Sequence, residues 1–243
     1  MKPNMTKRLA VTVSQCDSNG IMRMDSVFNA FLDMASEHAQ ELGMGSSSMK
    51  AKVLYWVVAK TKVHVEEFPN LGEAVDLETW PKKADRIRCD RCYEMTKAGK
   101  LLASGRTQWA VLEADTGKLH SVENVYPEDL VCLDKEPLLD PFDRISEKQF
   151  EESFSVYRVC STDIDLAHHM NNCAYVRAVL SLFSTEELNA MKIRDMEILY
   201  KASALEGDDL RIYKKEDDRV LDLKGELPDG RTCFLVRMLK DRA

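Results

Sequence analysis

From residue 7 to residue 15 the apolar positions alternate, with Leu9, Val11 and Val13 on one face, as in a half-buried strand. Asp17-Ser18-Asn19-Gly20 then predicts a turn. Beyond it the period changes to 3.6: Phe28, Phe31/Leu32, Ala35, His38/Ala39 and Leu42 form the stripe of an amphipathic helix, capped at Asp25 or Ser26 and ended by Gly43. His38 lies on that stripe and reads as a hydrogen-bonded core histidine rather than a catalytic one. Gly45-Ser-Ser-Ser48 reads as a loop. Between Lys52 and Lys118 the period of two returns in consecutive strands. Val57, Ala59, Thr61, Val63 and Val65 alternate there with Lys60, Lys62, His64 and Glu66, and turns fall at Pro69–Gly72, Lys97–Lys100 and Asp115–Gly117. One long helix followed by antiparallel strands is an α+β pattern.

Residues 123–150 carry Pro127, Pro137 and Pro141 among acidic side chains with little periodicity, the signature of a linker crossing the surface. Afterwards the pattern recurs: a strand through Phe154, Val156 and Tyr157–Val159, a helix over 171–183 and a strand over Ile193–Tyr200. Gly207-Asp-Asp-Leu210 parallels Gly72-Glu-Ala-Val75, Asp229-Gly-Arg231 parallels Ala98-Gly-Lys100, and Gly230-Arg-Thr echoes Gly105-Arg-Thr. The chain therefore reads as a duplicated strand–helix–multistrand unit: 1–122, a linker over 123–150, and 151–243. Pairing Cys16 with Cys160 and Phe31 with Tyr175 sets Ile21 and Asp25 opposite Asp165 and His169, which leaves a polar loop in the second copy only.

That loop, Cys160 to Asn172, gathers Asp163, Asp165, His168, His169, Asn171 and Asn172 ahead of an apolar helical run. Asn171 or Asn172 is a strong N-cap residue for that helix. The imidazoles then fall where backbone N–H groups are unpaired and the helix dipole is positive, a setting that can polarise a carbonyl oxygen. Against this stands the plain alternative of a capped helix with solvated polar residues.

Composition narrows the function. The formal net charge of −7 argues against general nucleic-acid binding, though a local basic patch could still meet an acidic partner. No apolar run reaches the roughly 20 residues of a membrane-spanning helix, and the N-terminus lacks a signal-peptide block, so the expectation is a cytoplasmic protein without membrane insertion. Seven scattered cysteines fit that compartment. Cys89 and Cys92 form the one close pair, but on a strand they point to opposite faces and have no second pair nearby, so no metal and no cofactor are expected.

The order and spacing of several pieces resemble the acyl-acyl-carrier-protein thioesterases of bacteria and plant plastids, over nearly the whole chain. These pieces are Tyr55-Trp-Val-Val58, Gly72-Glu-Ala-Val-Asp-Leu-Glu-Thr-Trp80 and Ala103-Ser-Gly-Arg-Thr-Gln-Trp109 in the first half. In the second half they are Asp163, Asp165, His169-Met-Asn-Asn172 and Tyr175. The resemblance implies an α+β tandem hotdog, each copy a long helix wrapped by an antiparallel sheet. It also implies hydrolysis of acyl-acyl carrier protein to free fatty acid and carrier protein. The family's Asp-x-Asn-x-His falls on Asp165, Ala167 and His169, so the Asn is absent; Ser203 stands where a Glu is expected, and Ala204 where plant enzymes have Cys. Asp165 is then the candidate nucleophile or general base and His169 its support. His168, Ser203 and the backbone around Met170–Asn172 are candidate auxiliaries. The acyl chain is expected against the first helix and sheet, near Phe28, Leu32, Ala35 and Val57. Plant members carry a transit peptide and this chain does not, which suggests a bacterial enzyme.

Two other functions share the pattern: an acyl-CoA thioesterase, and an acyl-binding module whose site has decayed. For an acidic carrier the richest cationic stretch is Lys82, Lys83, Arg86, Arg88 and Arg91, with Lys60 and Lys62 on a neighbouring strand. Read as a strand, it puts Arg86 and Arg88 on one face and Arg91 on the other. Outer sheet faces would allow a homodimer.

Overall fold

Alternation in the first half builds an antiparallel sheet, and the 3.6-residue stripe lays one helix on it. In the computed structural model, which describes residues 2–150 and 152–241, the chain divides into two units, Met1–Asp140 and Pro141–Ala243. The first contains β1 (Met5–Ala10), α1 (Met24–Glu41), α2 (Ser46–Ala51), β2 (Leu54–Val65), β3 (Ala74–Pro81), β4 (Cys89–Lys97), β5 (Lys100–Glu113) and β6 (Leu119–His120). Its strands run in the order β1-β3-β4-β5-β2, with β6 paired to β5. Phe28, Phe31, Ala35 and His38 of α1 and Leu42 at its C-cap are buried, as the stripe predicts, and Gly43 follows at φ 71°. Gly105 lets α1 sit close, because a Cβ there would lie 2.8 Å from the Phe31 ring, which stacks on Tyr93 at 5.0 Å.

The second unit contains β7 (Ser153–Arg158), α3 (Asn172–Leu180), α4 (Thr185–Met191), β8 (Ile193–Tyr200), β9 (Asp209–Glu216), β10 (Val220–Glu226) and β11 (Thr232–Lys240). Their order, β7-β9-β10-β11-β8, matches that of the first unit strand for strand. The duplication is therefore topological, and the fold is α+β. Gly72 and Gly207 occupy the same place in it: each donates its N–H to the carbonyl before the first short turn, Val11 and Val159, at 2.9 Å.

Several local expectations need correction. Val13 is not a strand residue but part of a one-turn helix over Val13–Gln15, and is 75% exposed. Gly45-Ser-Ser-Ser48 opens α2 rather than a loop, with Gly45 as its N-cap. The cap of α1 is Arg23; Asp25 and Ser26 lie inside the first turn, Asp25 paired with Arg23 at 3.0 Å. The second helix stops at Leu180, and Ser184 caps a separate α4 by exchanging side-chain bonds with Glu187. Lys62 is not on a solvent face; it is 3% exposed. A register shift between Val58 and Lys60 breaks the alternation of β2, so Val57, paired with Ala110, faces away from α1 while Thr61, Val63 and Val65 face it. The Gly105/Gly230 echo is not structural either, since Gly105 lies inside β5 and Gly230 in the β10–β11 turn at φ 86°.

Residues 123–140 belong to the first unit; Val125 packs on the α1 side of the sheet, and the later residues cover the face opposite α1. The Lys135 carbonyl accepts the Trp80 indole N–H at 2.9 Å, and the Leu138 carbonyl accepts the Ser104 hydroxyl at 2.6 Å. Val122 and Val125 join a cluster with Leu42, Met49, Leu54 and Val111. Among the described residues no helix is long and apolar enough to cross a membrane.

Candidate active site

The loop between β7 and α3 is pinned by Asp163. Its carboxylate, 2% exposed, accepts from the Tyr157 hydroxyl and the Cys160 N–H, both at 2.9 Å, and from Arg177 of α3 at 2.7 Å. Burial alone would raise its pKa, but the Cys160 N–H, Arg177 and Tyr157 outweigh burial and hold it below the ordinary carboxylate value. Burial and the bond to Asp163 push the Tyr157 phenol up to about 12. Asn171 is the N-cap: its side chain accepts the Cys173 N–H at 2.8 Å, and its own N–H reaches the Asp163 carbonyl at 2.8 Å. The polar loop and the helix start are thus one hydrogen-bonded unit.

Asp165 is held differently. Its Oδ1 accepts the Ala167 N–H at 2.8 Å, a tight turn closed by its own side chain, while its N–H reaches the His169 carbonyl at 2.9 Å. Among the described residues Oδ2 of Asp165 and both rings, His168 and His169, have no hydrogen-bond or ion-pair partner. Asp165 and His169 are neighbours across this turn but are not bonded to each other. Asp165 is half-buried; Ala167, His168 and His169 are exposed.

The first unit contains the same turn, and this corrects the alignment of the repeats. Asp17, not Ile21, stands in the place of Asp165: its Oδ1 accepts the Asn19 N–H at 2.8 Å, and its N–H reaches the Ile21 carbonyl at 2.8 Å. Ile21 therefore matches His169, Gly20 matches His168, and Gln15, which accepts the Thr12 N–H at 2.9 Å, matches Asp163. The helix starts agree, Arg23 with Asn171, so Val27 rather than Phe31 corresponds to Tyr175. A carboxylate in this turn is thus common to both copies; the histidines are not. The copies also differ in closure. In the first, Ile21 N–H donates to Asp17 at 3.0 Å and Leu71 N–H to the Gly20 carbonyl at 2.8 Å. The second has neither counterpart among the described residues, which leaves the His169 N–H without a partner.

The amides expected to meet an oxyanion shift accordingly. Met170 N–H is spent on the Ala204 carbonyl at 2.9 Å and Asn171 N–H on Asp163, so neither is available. His169 N–H and Asn172 N–H, the latter in the orphaned first turn of α3, have no described acceptor. Ser203 is exposed, next to Ala204, and Ala204 N–H donates to the Tyr175 hydroxyl at 2.9 Å. Tyr175 thereby fastens the segment after β8 that carries Ser203 to α3, and Tyr200 donates to the Asn172 carbonyl at 3.0 Å. Burial drives the Tyr175 phenol well above its ordinary value and Cys233, beside it at 3.6 Å, up to about 11. Both stay protonated and act as structure.

His168 adopts φ 60° where its counterpart Gly20 has φ 75°. A side chain in this region costs roughly 1–2 kcal/mol against an extended or right-handed backbone, less the entropy a glycine loses. Replacing His168 by glycine is therefore expected to raise unfolding free energy by about 1 kcal/mol in a denaturant titration. A loss of stability would mean the imidazole is held by packing.

Two sequence models match consecutive stretches: the acyl-ACP thioesterase N-terminal domain over residues 3–130 and the acyl-ACP thioesterase C-terminal domain over 146–229. The chain belongs to the acyl-ACP thioesterase family. Among curated relatives, oleoyl-acyl carrier protein thioesterase 1 of Arabidopsis thaliana, a chloroplastic protein, is 22% identical over 220 residues, 83% of this chain and 61% of that protein. The chain spans less than two thirds of the length of such relatives. Two solved structures share the fold along almost the whole chain. An acyl-ACP thioesterase from Bacteroides thetaiotaomicron has TM-score 0.90 at 22% identity, covering 98% of both chains. The 12:0-ACP thioesterase of Umbellularia californica has TM-score 0.82 at 16% identity, covering 99% of this chain and 98% of that one. Both support the tandem hotdog reading.

The positions expected to line the acyl chain and the expected cationic stretch distribute unevenly. Phe28 and Ala35 are buried, Leu32 is half-buried at the stripe's edge, and Val57 lies on the opposite sheet face. Residues 82–88 form a connection rather than a strand, closed by Lys82 N–H to Asp90 and Asp85 N–H to Arg88, so strand-face logic does not govern Arg86 and Arg88. Lys82 is taken up by Glu136 at 2.6 Å. Arg91 is buried, whereas Lys83, Arg86 and Arg88 are exposed. An open cleft of about 520 Å³ lies alongside, lined by Asp85, Arg86, Ile87, Leu119, His120 and Ser121.

Proposed function

We propose that this chain hydrolyses acyl-acyl carrier protein to free fatty acid and carrier protein in fatty acid biosynthesis, using Asp165 and His169. One observation carries the assignment: of two matching turns, only the second sets imidazoles and an unbonded backbone N–H beside the carboxylate. Asp165, with Oδ2 uncommitted, takes a proton from water as its oxygen adds to the thioester carbon. The N–H groups of His169 and Asn172 receive the developing oxyanion. When the C–S bond breaks, the leaving thiolate takes a proton supplied through His169. His168 and Ser203 stand nearby as replacements for the family's missing Asn and Glu. No cofactor enters this scheme. The acyl chain is assigned to the α1 face of the first unit, against Phe28, Leu32 and Ala35. Seven free cysteine thiols suit a reducing, cytoplasmic setting.

The test is purified turnover on acyl-carrier protein and acyl-CoA of one chain length, with free fatty acids profiled after expression in a bacterial host. Faster turnover of acyl-CoA would replace the carrier in this reading. Acyl binding with no turnover of either substrate would leave a decayed binding module, the alternative that Ala167 and Ser203 permit.

The carrier is assigned to the exposed cations Lys83, Arg86 and Arg88 beside the open cleft. Acyl carrier proteins are acidic and this chain is net negative, so docking needs a concentrated positive patch. Lys83→Glu with Arg86→Glu is expected to lower carrier-linked turnover about tenfold and flatten its salt dependence. A carrier-free acyl thioester should be hydrolysed as before. Unchanged carrier-linked turnover would place docking elsewhere.

A further inference from the structure

The interior of the first unit, between α1 and the sheet, is unexpectedly polar for a compartment assigned to a hydrocarbon chain. Thr61, Thr79, Arg91 and Thr107 are buried on the α1 side of the sheet, with His38 facing them from the helix. Arg91 is 6% exposed, and its Nη1 donates to His38 Nδ1 at 2.9 Å and to the Thr79 hydroxyl at 3.4 Å. Burial and the neighbouring guanidinium push His38 down to about 4, so the imidazole is neutral and serves Arg91 as an acceptor. No carboxylate pairs with Arg91 among the described residues. Arg106, one strand away on the other sheet face, does have a counter-ion: its Nη2 pairs with Glu136 at 2.5 Å, although its Nε is buried without a partner. Two further donors lie on the Arg91 face: the Tyr93 hydroxyl and the Trp109 indole N–H are buried beside each other and beside Thr107, and neither has a partner in full hydrogen-bond geometry.

A buried guanidinium without a counter-ion is costly, and unbonded buried donors add to the cost. What is missing from this cluster is an anionic acceptor. We propose that Arg91, with Tyr93 and Trp109, is a binding site for a carboxylate at the far end of the acyl chain, making ω-carboxyacyl thioesters the preferred substrates. The inference rests on the placing of the acyl chain against α1 and deepens that reading. Arg91 is here a specificity residue that touches no reacting atom, and contributes through a charge-assisted bond to the chain terminus.

Calorimetric titration of the full-length protein with saturated dicarboxylic acids of six to twelve carbons, against monocarboxylic acids of equal length, tests this without requiring turnover. The dicarboxylic acid is expected to bind at least tenfold tighter, and Arg91→Met to remove that preference. Tyr93→Phe, which keeps the ring stacked on Phe31, should reduce it severalfold and serves if Arg91→Met does not fold. Equal or tighter binding of the monocarboxylic acids by the wild type would overturn the proposal, as would a preference that survives both variants. A dicarboxylate preference in a protein with no turnover would support this site and sink the thioesterase assignment instead. Turnover confined to unsubstituted alkyl chains would sink this site and leave the hydrolase intact.

Discussion

Asp165→Asn is expected to lower the turnover rate by about 10²-fold or more while the protein stays folded, and His169→Ala by a similar factor. The two halves of that expectation have separate causes. Asparagine keeps an Oδ1 able to accept the Ala167 N–H at 2.8 Å, so the turn survives. What is lost is the basicity of the other oxygen, which no described residue occupies. The His169 ring likewise has no bond to break, and its carbonyl, which accepts from Asp165 N–H at 2.9 Å, belongs to the backbone. Thioester turnover with matched circular dichroism measures both quantities. Near-wild-type hydrolysis by Asp165→Asn would remove Asp165 from the chemistry and leave it the turn-forming role of Asp17.

The largest stability effect is expected at Asp163, two residues away. Asp163→Ala removes the acceptor for Tyr157, Cys160 N–H and Arg177, and should cost about 3 kcal/mol in a denaturant titration. Turnover falls with it, because the Asp163 segment fixes the N-cap of α3 through Asn171. The milder Asp163→Asn isolates the charge. The folded-state pKa lies below the unfolded value of about 3.9, so the carboxylate's contribution is fully present above that value. It is lost as the pH falls through the lower, folded pKa. The stability gap between wild type and Asp163→Asn should therefore be constant from neutral pH to about pH 5 and close in stronger acid. A gap that does not change with acid would mean the Asp163 charge is not what holds the loop.

This contrast between neighbouring carboxylates lay beyond the sequence. Asp163 and Asp165 are the same residue type two positions apart, and a motif cannot show which one is spent on Arg177 and which keeps a free oxygen. The partners of Asp163 come from β7 and α3, and only the closed loop brings them to it. The repeat alignment failed for a related reason. Identical cysteines at 16 and 160 drew the pairing, whereas the turns match through the Asp carboxylate and the backbone bonds that Asp17-Ser-Asn-Gly-Ile21 and Asp165-Leu-Ala-His-His169 share, with every other side chain different. A Gly at position 20 opposite a His at 168 was the available signal, since both occupy positive φ.

The sequence by itself determined the secondary-structure plan and its duplication. The 3.6-residue stripe of α1, the alternation of β2 to β5, and the turn glycines at 43, 72, 207 and 230 are local consequences of side-chain periodicity and backbone permissiveness. It also determined which stretch carries the candidate chemistry, because Asp165, His169 and the Asn171 cap are contiguous in the chain. Tertiary structure alone decided what depends on distant partners. It turned Val57 away from α1 through a register shift, took Lys82 and Arg91 out of the surface patch, and consumed the Met170 and Asn171 amides. It also enclosed Arg91 with His38, Tyr93 and Trp109. Each of these is settled by which groups meet across strands and helix, and burial converts such a meeting into free energy only after the chain has closed on itself.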